Sequence, residues 1–222
     1  MHDISVEQKI LSKNDELAGE NRELLTSKKI FSINMVSSPG SGKTSIIEKT
    51  LPYLKERIKI AVIEGDLQTD LDAQRVAKYG IPVKQITTGK ACHLDAHNIH
   101  HVLPWVMEQD GIGLLIIENV GNMVCPAEYD LGEDMMITVM STTEGDDKPL
   151  KYPAIFSSAD VLLLNKTDLA PYTDFNIERA KENALRINPY LKIFETSCRT
   201  GAGIKEWSDF LAQTALNGHG KI

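Results

Sequence analysis

With 222 residues, 42% of them hydrophobic, the chain is long enough for one α/β domain with a sizeable core and too short for two of ordinary size. Its 24 basic and 31 acidic side chains leave a net charge of −7 and no broad basic face, which argues against nucleic acid or anionic lipid as a partner. No apolar run approaches the roughly 20 residues that span a bilayer. Met1-His2-Asp3-Ile4-Ser5 lacks a signal layout, and three cysteines without regular spacing make no disulfide framework, so a cytoplasmic protein is expected.

Residues 1–27 are polar, but Ile10/Leu11, Leu17/Ala18 and Leu24/Leu25 recur every seven positions and predict an amphipathic helix outside the core. It either packs on the domain's own flank or is offered to a partner. Asn14 and Asn21, between the apolar pairs, weaken a coiled-coil reading. Residues 28–217 read as a P-loop GTPase domain and 218–222 as a flexible tail. Within the domain, nearly continuous apolar runs at 30–36, 58–63, 81–86, 113–117, 136–140, 161–164 and 191–194 alternate with helical patterns near 43–57, 71–79, 95–108, 152–158, 174–187 and 203–216. That alternation predicts βαβ units: an α/β fold with a mostly parallel sheet, helices on both faces and ligands outside the carboxyl ends of the strands.

Ser37-Ser38-Pro39-Gly40-Ser41-Gly42-Lys43-Thr44 lies between the first strand pattern and a helix, which is the layout of a phosphate cradle. Backbone N–H groups of the turn and the helix N-terminus converge on an anion, Lys43 reaches the β/γ-phosphates, Thr44 faces Mg²⁺, and Ser45 continues the helix. Ser37 stands where the usual pattern has Gly. After the strand ending at Leu164, Asn165-Lys166-Thr167-Asp168 forms an N-K-x-D element, whose Asp168 carboxylate can accept from both N1–H and the N2 amine of guanine. Ser197 and Cys198, in Thr196-Ser197-Cys198-Arg199-Thr200-Gly201, resemble the weak fifth element of GTPases. Asp66 and Glu118 end two strands and are candidate Mg²⁺ ligands beside Thr44, and Lys43, Asp66, Asp72 and Glu118 are the candidate catalytic groups. The Glu118-Asn119-Val120-Gly121 turn would bring a backbone N–H of Gly121 toward the γ-phosphate. No glutamine is placed to orient water, which predicts slow intrinsic turnover.

A second chemistry lies in Cys92-His93 and Cys125. Thiolate and imidazole suit Ni²⁺ or Zn²⁺. Cys92 and His93 cannot close a site alone, so Cys125 must join them from another loop, with a fourth ligand from His97, water or a second subunit. That deficit points to a homodimer pooling ligands across its axis.

Gly89-Lys90-Ala91-Cys92-His93-Leu94-Asp95-Ala96, Glu118-Asn119-Val120-Gly121-Asn122-Met123-Val124-Cys125-Pro126 and Ser141-Thr142-Thr143-Glu144-Gly145-Asp146-Asp147 together resemble the HypB family, the SIMIBI-class GTPases of nickel incorporation in [NiFe]-hydrogenase maturation. The likeness spans roughly residues 30–215. It implies a GTP- and Mg²⁺-dependent dimer, with Cys92, His93 and Cys125 as interface metal ligands and His97 as a possible extra. It also implies a HypA-type nickel chaperone and the hydrogenase large subunit as partners. Neither an N-terminal Cys motif nor a His-rich nickel-storage stretch occurs before Lys28. Competing readings are a urease-type nickel GTPase, which normally carries Cys-Pro-His, a guanine-nucleotide switch or scaffold that carries no metal, and a P-loop kinase.

Overall fold

The structure is a computed structural model that describes residues 6–66, 68, 70–89 and 91–218. Met1–Ser5, Leu67, Thr69, Lys90 and, apart from Gly218, the expected flexible tail lie outside the described residues. The chain runs α1 (Val6–Ser27), β1 (Phe31–Ser37), α2 (Lys43–Leu54), β2 (Ile60–Asp66), α3 (Leu71–Ala77), β3 (Val83–Thr87), α4 (Ala96–Glu108), β4 (Leu114–Gly121), β5 (Met135–Ser141), α5 (Lys148–Lys151), α6 (Pro153–Ser158), β6 (Val161–Asn165), α7 (Ile177–Ile187), β7 (Lys192–Glu195) and α8 (Ile204–Asn217). The seven strands form one sheet in the order β3-β2-β4-β1-β5-β6-β7, and every pairing is parallel. The fold is that of a P-loop NTPase.

Every strand expected from an apolar run is present, because a sheet covered on both faces needs apolar side chains at successive positions. Alternate residues divide between the faces. Ile33, Met35, Val62, Ile116, Ile137 and Leu163 meet α2 and α8, while Ile63, Leu115 and Ile117 meet α4 and α1, and Leu162 and Leu164 meet α6 and α7. β2 and β4 continue past their apolar runs into Glu64–Asp66 and Glu118–Gly121, so the polar ends of these strands remain in the ladder.

Two of the boundaries that differ from expectation have a clear local cause. A short helix, α5, precedes α6, and the break falls at Tyr152, whose backbone (φ −126°, ψ 54°) is not helical. The following Pro153 disfavours the helical region there. α7 starts at Ile177 because the Asn176 side chain caps it, accepting from the Arg179 N–H.

The stripe on α1 is only partly the buried one. Ala18 and Leu25 are buried, Leu17 and Leu24 are half-buried, and Ile10 is exposed. Asn14 and Asn21 point inward instead and are buried, so α1 packs on the domain's own flank against α4.

Candidate functional site

β1 delivers the chain into a tight turn whose backbone only glycine fits. Gly42 caps α2 with φ 103°, and a Cβ there would come within 2.5 Å of the Asn165 amide nitrogen. The serine at position 37, the departure from the usual pattern, is buried and useful: its Oγ accepts from Lys43 Nζ at 3.0 Å and donates to the Ser38 carbonyl at 2.6 Å. A glycine could not hold the ammonium this way. Glu144, in the segment after β5, accepts from the Ser41 hydroxyl at 2.7 Å and from the Ser141 N–H at 3.0 Å. Lys148 is bonded to both Glu144 and Ser38. The sequence reading gave neither residue a role, since nothing in a polar turn announces that it wraps a loop a hundred residues away.

On the other side, the N-K-x-D element braces the same turn. Asn165 Nδ2 donates to the Ser41 carbonyl at 2.9 Å, and Lys166 Nζ to the Gly40 carbonyl at 2.7 Å. Asp168 accepts from Ser197 Oγ at 2.6 Å, which fixes its carboxylate at the mouth of a 240 Å³ pocket also lined by Ser45, Lys166 and Cys198. The Ser197 amide is engaged with the Ala202 carbonyl, so Ser197 contributes through its hydroxyl. Cys198 Sγ lies 3.7 Å from Asn165 Oδ1, and burial raises its thiol pKa to about 11, keeping it protonated.

A larger cavity of about 460 Å³ adjoins the phosphate loop, lined by Lys43, Thr44, Ser45, Asp66, Glu118 and Gly121 among others. Gly121 passes so close that a Cβ would meet Pro39 backbone atoms at 3.0–3.1 Å. Asp66 stands at the rim at the end of β2. Asp72 lines the cavity but is ion-paired to Arg75 at 2.8 Å, and Arg75 also holds Glu48 and the Ser45 hydroxyl. Asp72, a candidate catalytic group, thus lies at the cavity together with an arginine that the sequence did not single out.

Glu118 is buried and accepts from Thr44 Oγ1 at 2.8 Å. Beside it, across the β2/β4 ladder, lies Glu64, which the sequence reading passed over. Its only signal was a carboxylate ending the run Ile60-Ala61-Val62-Ile63, at a position the sheet buries. Glu64 Oε1 and Glu118 Oε2 are buried without partners. Burial is the first cause in both and holds both carboxyls above the usual range: the facing Glu118 adds to it at Glu64, whereas Lys43 and the Thr44 hydroxyl oppose it at Glu118. Two orphaned carboxylate oxygens beside a threonine hydroxyl are an oxygen donor set that fits a hard divalent cation such as Mg²⁺. Glu64→Gln removes one such oxygen while keeping the shape of the protonated acid. Its melting temperature in EDTA should stay within about 3 °C of the parent, the shift made by ~1 kcal/mol at this size. Mn²⁺ binding in the presence of GDP, read by electron paramagnetic resonance, should weaken.

Cys92, His93 and Cys125 meet in the segments that follow the carboxyl ends of β3 and β4. Their ligand atoms all lie within 4.8 Å of one another, with Cys92 Sγ 3.2 Å from Cys125 Sγ and 3.7 Å from His93 Nδ1. His93 stacks on Tyr129 (centroids 4.1 Å apart), and its partial burial lowers its pKa, favouring the neutral imidazole that binds metals. His97, on the first turn of α4, is exposed and outside this cluster. The Asp95 cap starts the helix just before it, so its side chain belongs to α4 and not to the ligand loop.

Two asparagines tie the cavity to this cluster. Asn119 Oδ1 accepts from the Leu94 N–H at 2.9 Å, and Asn122 Nδ2 donates to the Cys92 carbonyl at 3.3 Å. Both follow Glu118 in the same strand and turn, so the segment that borders the cavity is hydrogen-bonded to the loop that carries Cys92.

Residues 31–195 match the family described as CobW/HypB/UreG, nucleotide-binding domain. The chain is 52% identical over 204 residues to hydrogenase maturation factor HypB of Azotobacter vinelandii, covering 92% of this chain and 67% of that protein. It is 40% identical to the hydrogenase/urease maturation factor HypB of Helicobacter pylori, covering 95% and 88%. Among solved structures, HypB from Archaeoglobus fulgidus superposes with a TM-score of 0.86 at 42% identity, over 92% of this chain and 99% of that one. HypB from Helicobacter pylori in complex with nickel gives 0.88 at 38% identity, over 92% and 96%.

Proposed function

The chain belongs to the CobW/HypB/UreG family and, within it, to the HypB hydrogenase maturation factors, and from that premise we propose that it is a GTP-hydrolysing metallochaperone that holds Ni²⁺ or Zn²⁺ at Cys92, His93 and Cys125. The observation that carries this reading is the convergence of those three ligands, with Cys125 four positions after Gly121 and the Cys92-His93 loop hydrogen-bonded to Asn119 and Asn122, so that one turn borders both sites.

Lys43 and the amides of the phosphate loop bind the β/γ-phosphates, and Asp168 selects guanine. Thr44, Glu118, Glu64 and Asp66 would hold Mg²⁺, which offsets charge on the transferring phosphoryl group when bound. The Val120-Gly121 turn senses the terminal phosphate, and Asn119 and Asn122 pass its displacement to the ligand loop. By linkage, metal must then alter nucleotide affinity to the same degree. Three ligands leave a position open for the metal as cargo, and a homodimer supplying a fourth ligand across its axis fits that deficit. A HypA-type donor and the hydrogenase large subunit as acceptor complete the route.

The discriminating experiment is a Ni²⁺ titration of reduced protein with GDP or a non-hydrolysable GTP analogue. Equal nickel affinity in both states would remove the coupling. Guanine selection is tested separately. Asp168→Asn presents an amide donor where the carboxylate accepted, so preference should move from GTP toward XTP, and a variant as guanine-selective as the parent would remove that role.

A further inference from the structure

α1 touches the two metal-bearing loops at both of their far ends. Those loops leave the sheet after β3 and β4, which are not paired with each other but flank β2 on either side, and near the ligands they meet through Asn122 Nδ2 and the Cys92 carbonyl, leaving their far ends to be held from elsewhere. Asn14 Oδ1 accepts from the Ala96 N–H at 2.9 Å, and its Nδ2 donates to the Asp130 carbonyl at 2.8 Å. Asn21 Nδ2 donates to the Ala96 carbonyl at 2.9 Å and to the Leu131 carbonyl at 3.0 Å. Each asparagine therefore bonds to both segments. Ala96 follows Cys92 and His93 by four and three positions, and Asp130 follows Cys125 by five. Arg22 adds a forked pair of bonds to the Asp130 carboxylate, at 2.7 and 2.8 Å.

Adhesion alone does not explain these side chains. The two asparagines stand seven residues apart, two turns along one face, and are 6% and 0% exposed. Apolar residues there would dock the helix but take away the side-chain partners of the Asp130 and Leu131 carbonyls and of the buried Ala96 N–H, which opens α4 and has no acceptor within the helix. What amides add is direction: a donor and an acceptor aimed at named backbone atoms set the distance between two segments as well as joining them.

We infer that α1 is the template that sets the spacing of the ligand loops, with Asn14 and Asn21 as positioning residues for Cys92, His93 and Cys125. The inference rests on the metal-holding reading of those three residues.

The test uses the full reduced chain and the variants Asn14→Ala and Arg22→Ala, with two probes. Ni²⁺ is titrated through thiolate-to-metal charge-transfer absorption, and phenylarsine oxide, which bridges two neighbouring thiols, reports the Cys92–Cys125 distance without nickel. Fluorescent GDP binding checks that the nucleotide site is intact. In Asn14→Ala both nickel and arsenical affinity should fall, nickel by about 10–100-fold, the range for removing a partner that orients metal ligands, while GDP affinity is unchanged. Arg22→Ala should move both probes the same way by less, and its half-exposed side chain keeps the comparison available if Asn14→Ala does not fold. Lower melting temperatures with unchanged nickel and arsenical affinities would overturn the inference, since α1 would then stabilise without positioning. A parent protein that binds the arsenical but no nickel would defeat the metal reading alone, and the arsenical series would still decide whether α1 sets the spacing.

Discussion

Lys43→Ala should reduce GTP and GDP affinity and turnover by on the order of 10²–10³, the loss that follows removal of one preorganised group from a charge-stabilising site. Lys43 is 8% exposed, and its ammonium is held by Ser37 Oγ at the head of the cavity that Glu64 and Glu118 line. A phosphate entering that cavity meets two buried carboxyls whose pKa values are raised, and the lysine is the adjacent positive charge that makes anion entry favourable. Alanine leaves the Ser37 hydroxyl and the turn in place, so the fold should survive while the electrostatics fail. Titration with fluorescent GDP, with a melting curve of the nucleotide-free protein as control, separates these effects. GTP hydrolysis at the parental rate would refute the phosphate-loop assignment.

Cys92→Ala and Cys125→Ala should each abolish stoichiometric Ni²⁺ binding, lowering affinity by more than about 100-fold, the upper end of what loss of a mere supporting partner does. The two thiols are 3.2 Å apart and, among the described residues, His93 alone completes the cluster, so a single deletion leaves two ligands for an ion that prefers at least four. His93→Ala should weaken binding in the same direction. His97→Ala should leave it unchanged in the protomer, because His97 projects from α4 outside the cluster. Calorimetry in a phosphine reductant, which does not compete as a thiol would, provides the measurement. Retention of one Ni²⁺ per chain in either cysteine variant would remove the site.

Much of this architecture was legible in the sequence because the sheet is covered on both faces, so its strands appear as uninterrupted apolar runs such as 161–164. The phosphate loop was legible for a different reason: a turn that glycine alone can adopt leaves its residues in the chain, as at Gly42. What stayed hidden was polar and buried. Glu64 ends an apolar run and looks like the point where a strand stops, although β2 continues to Asp66. Asn14 and Asn21 stand between the apolar pairs and only weaken a coiled-coil reading. Their partners are backbone groups 75–116 positions away, and no periodicity encodes those. The Glu144–Ser41 contact, 103 positions apart, was missed for the same reason, whereas the Asp72–Arg75 pair has an i,i+3 helical spacing that the sequence displays and that was passed over.

The bonds from Asn165 to Ser41 and from Lys166 to Gly40 make the base-reading turn and the phosphate-reading turn one mechanical unit. Guanosine or pyrophosphate offered separately would each have to hold that unit still without help from the other. On the proposed guanine reading, an intact nucleotide orders it once and should bind more tightly than its two halves do as fragments, and a guanine-free triphosphate should be a poor substitute.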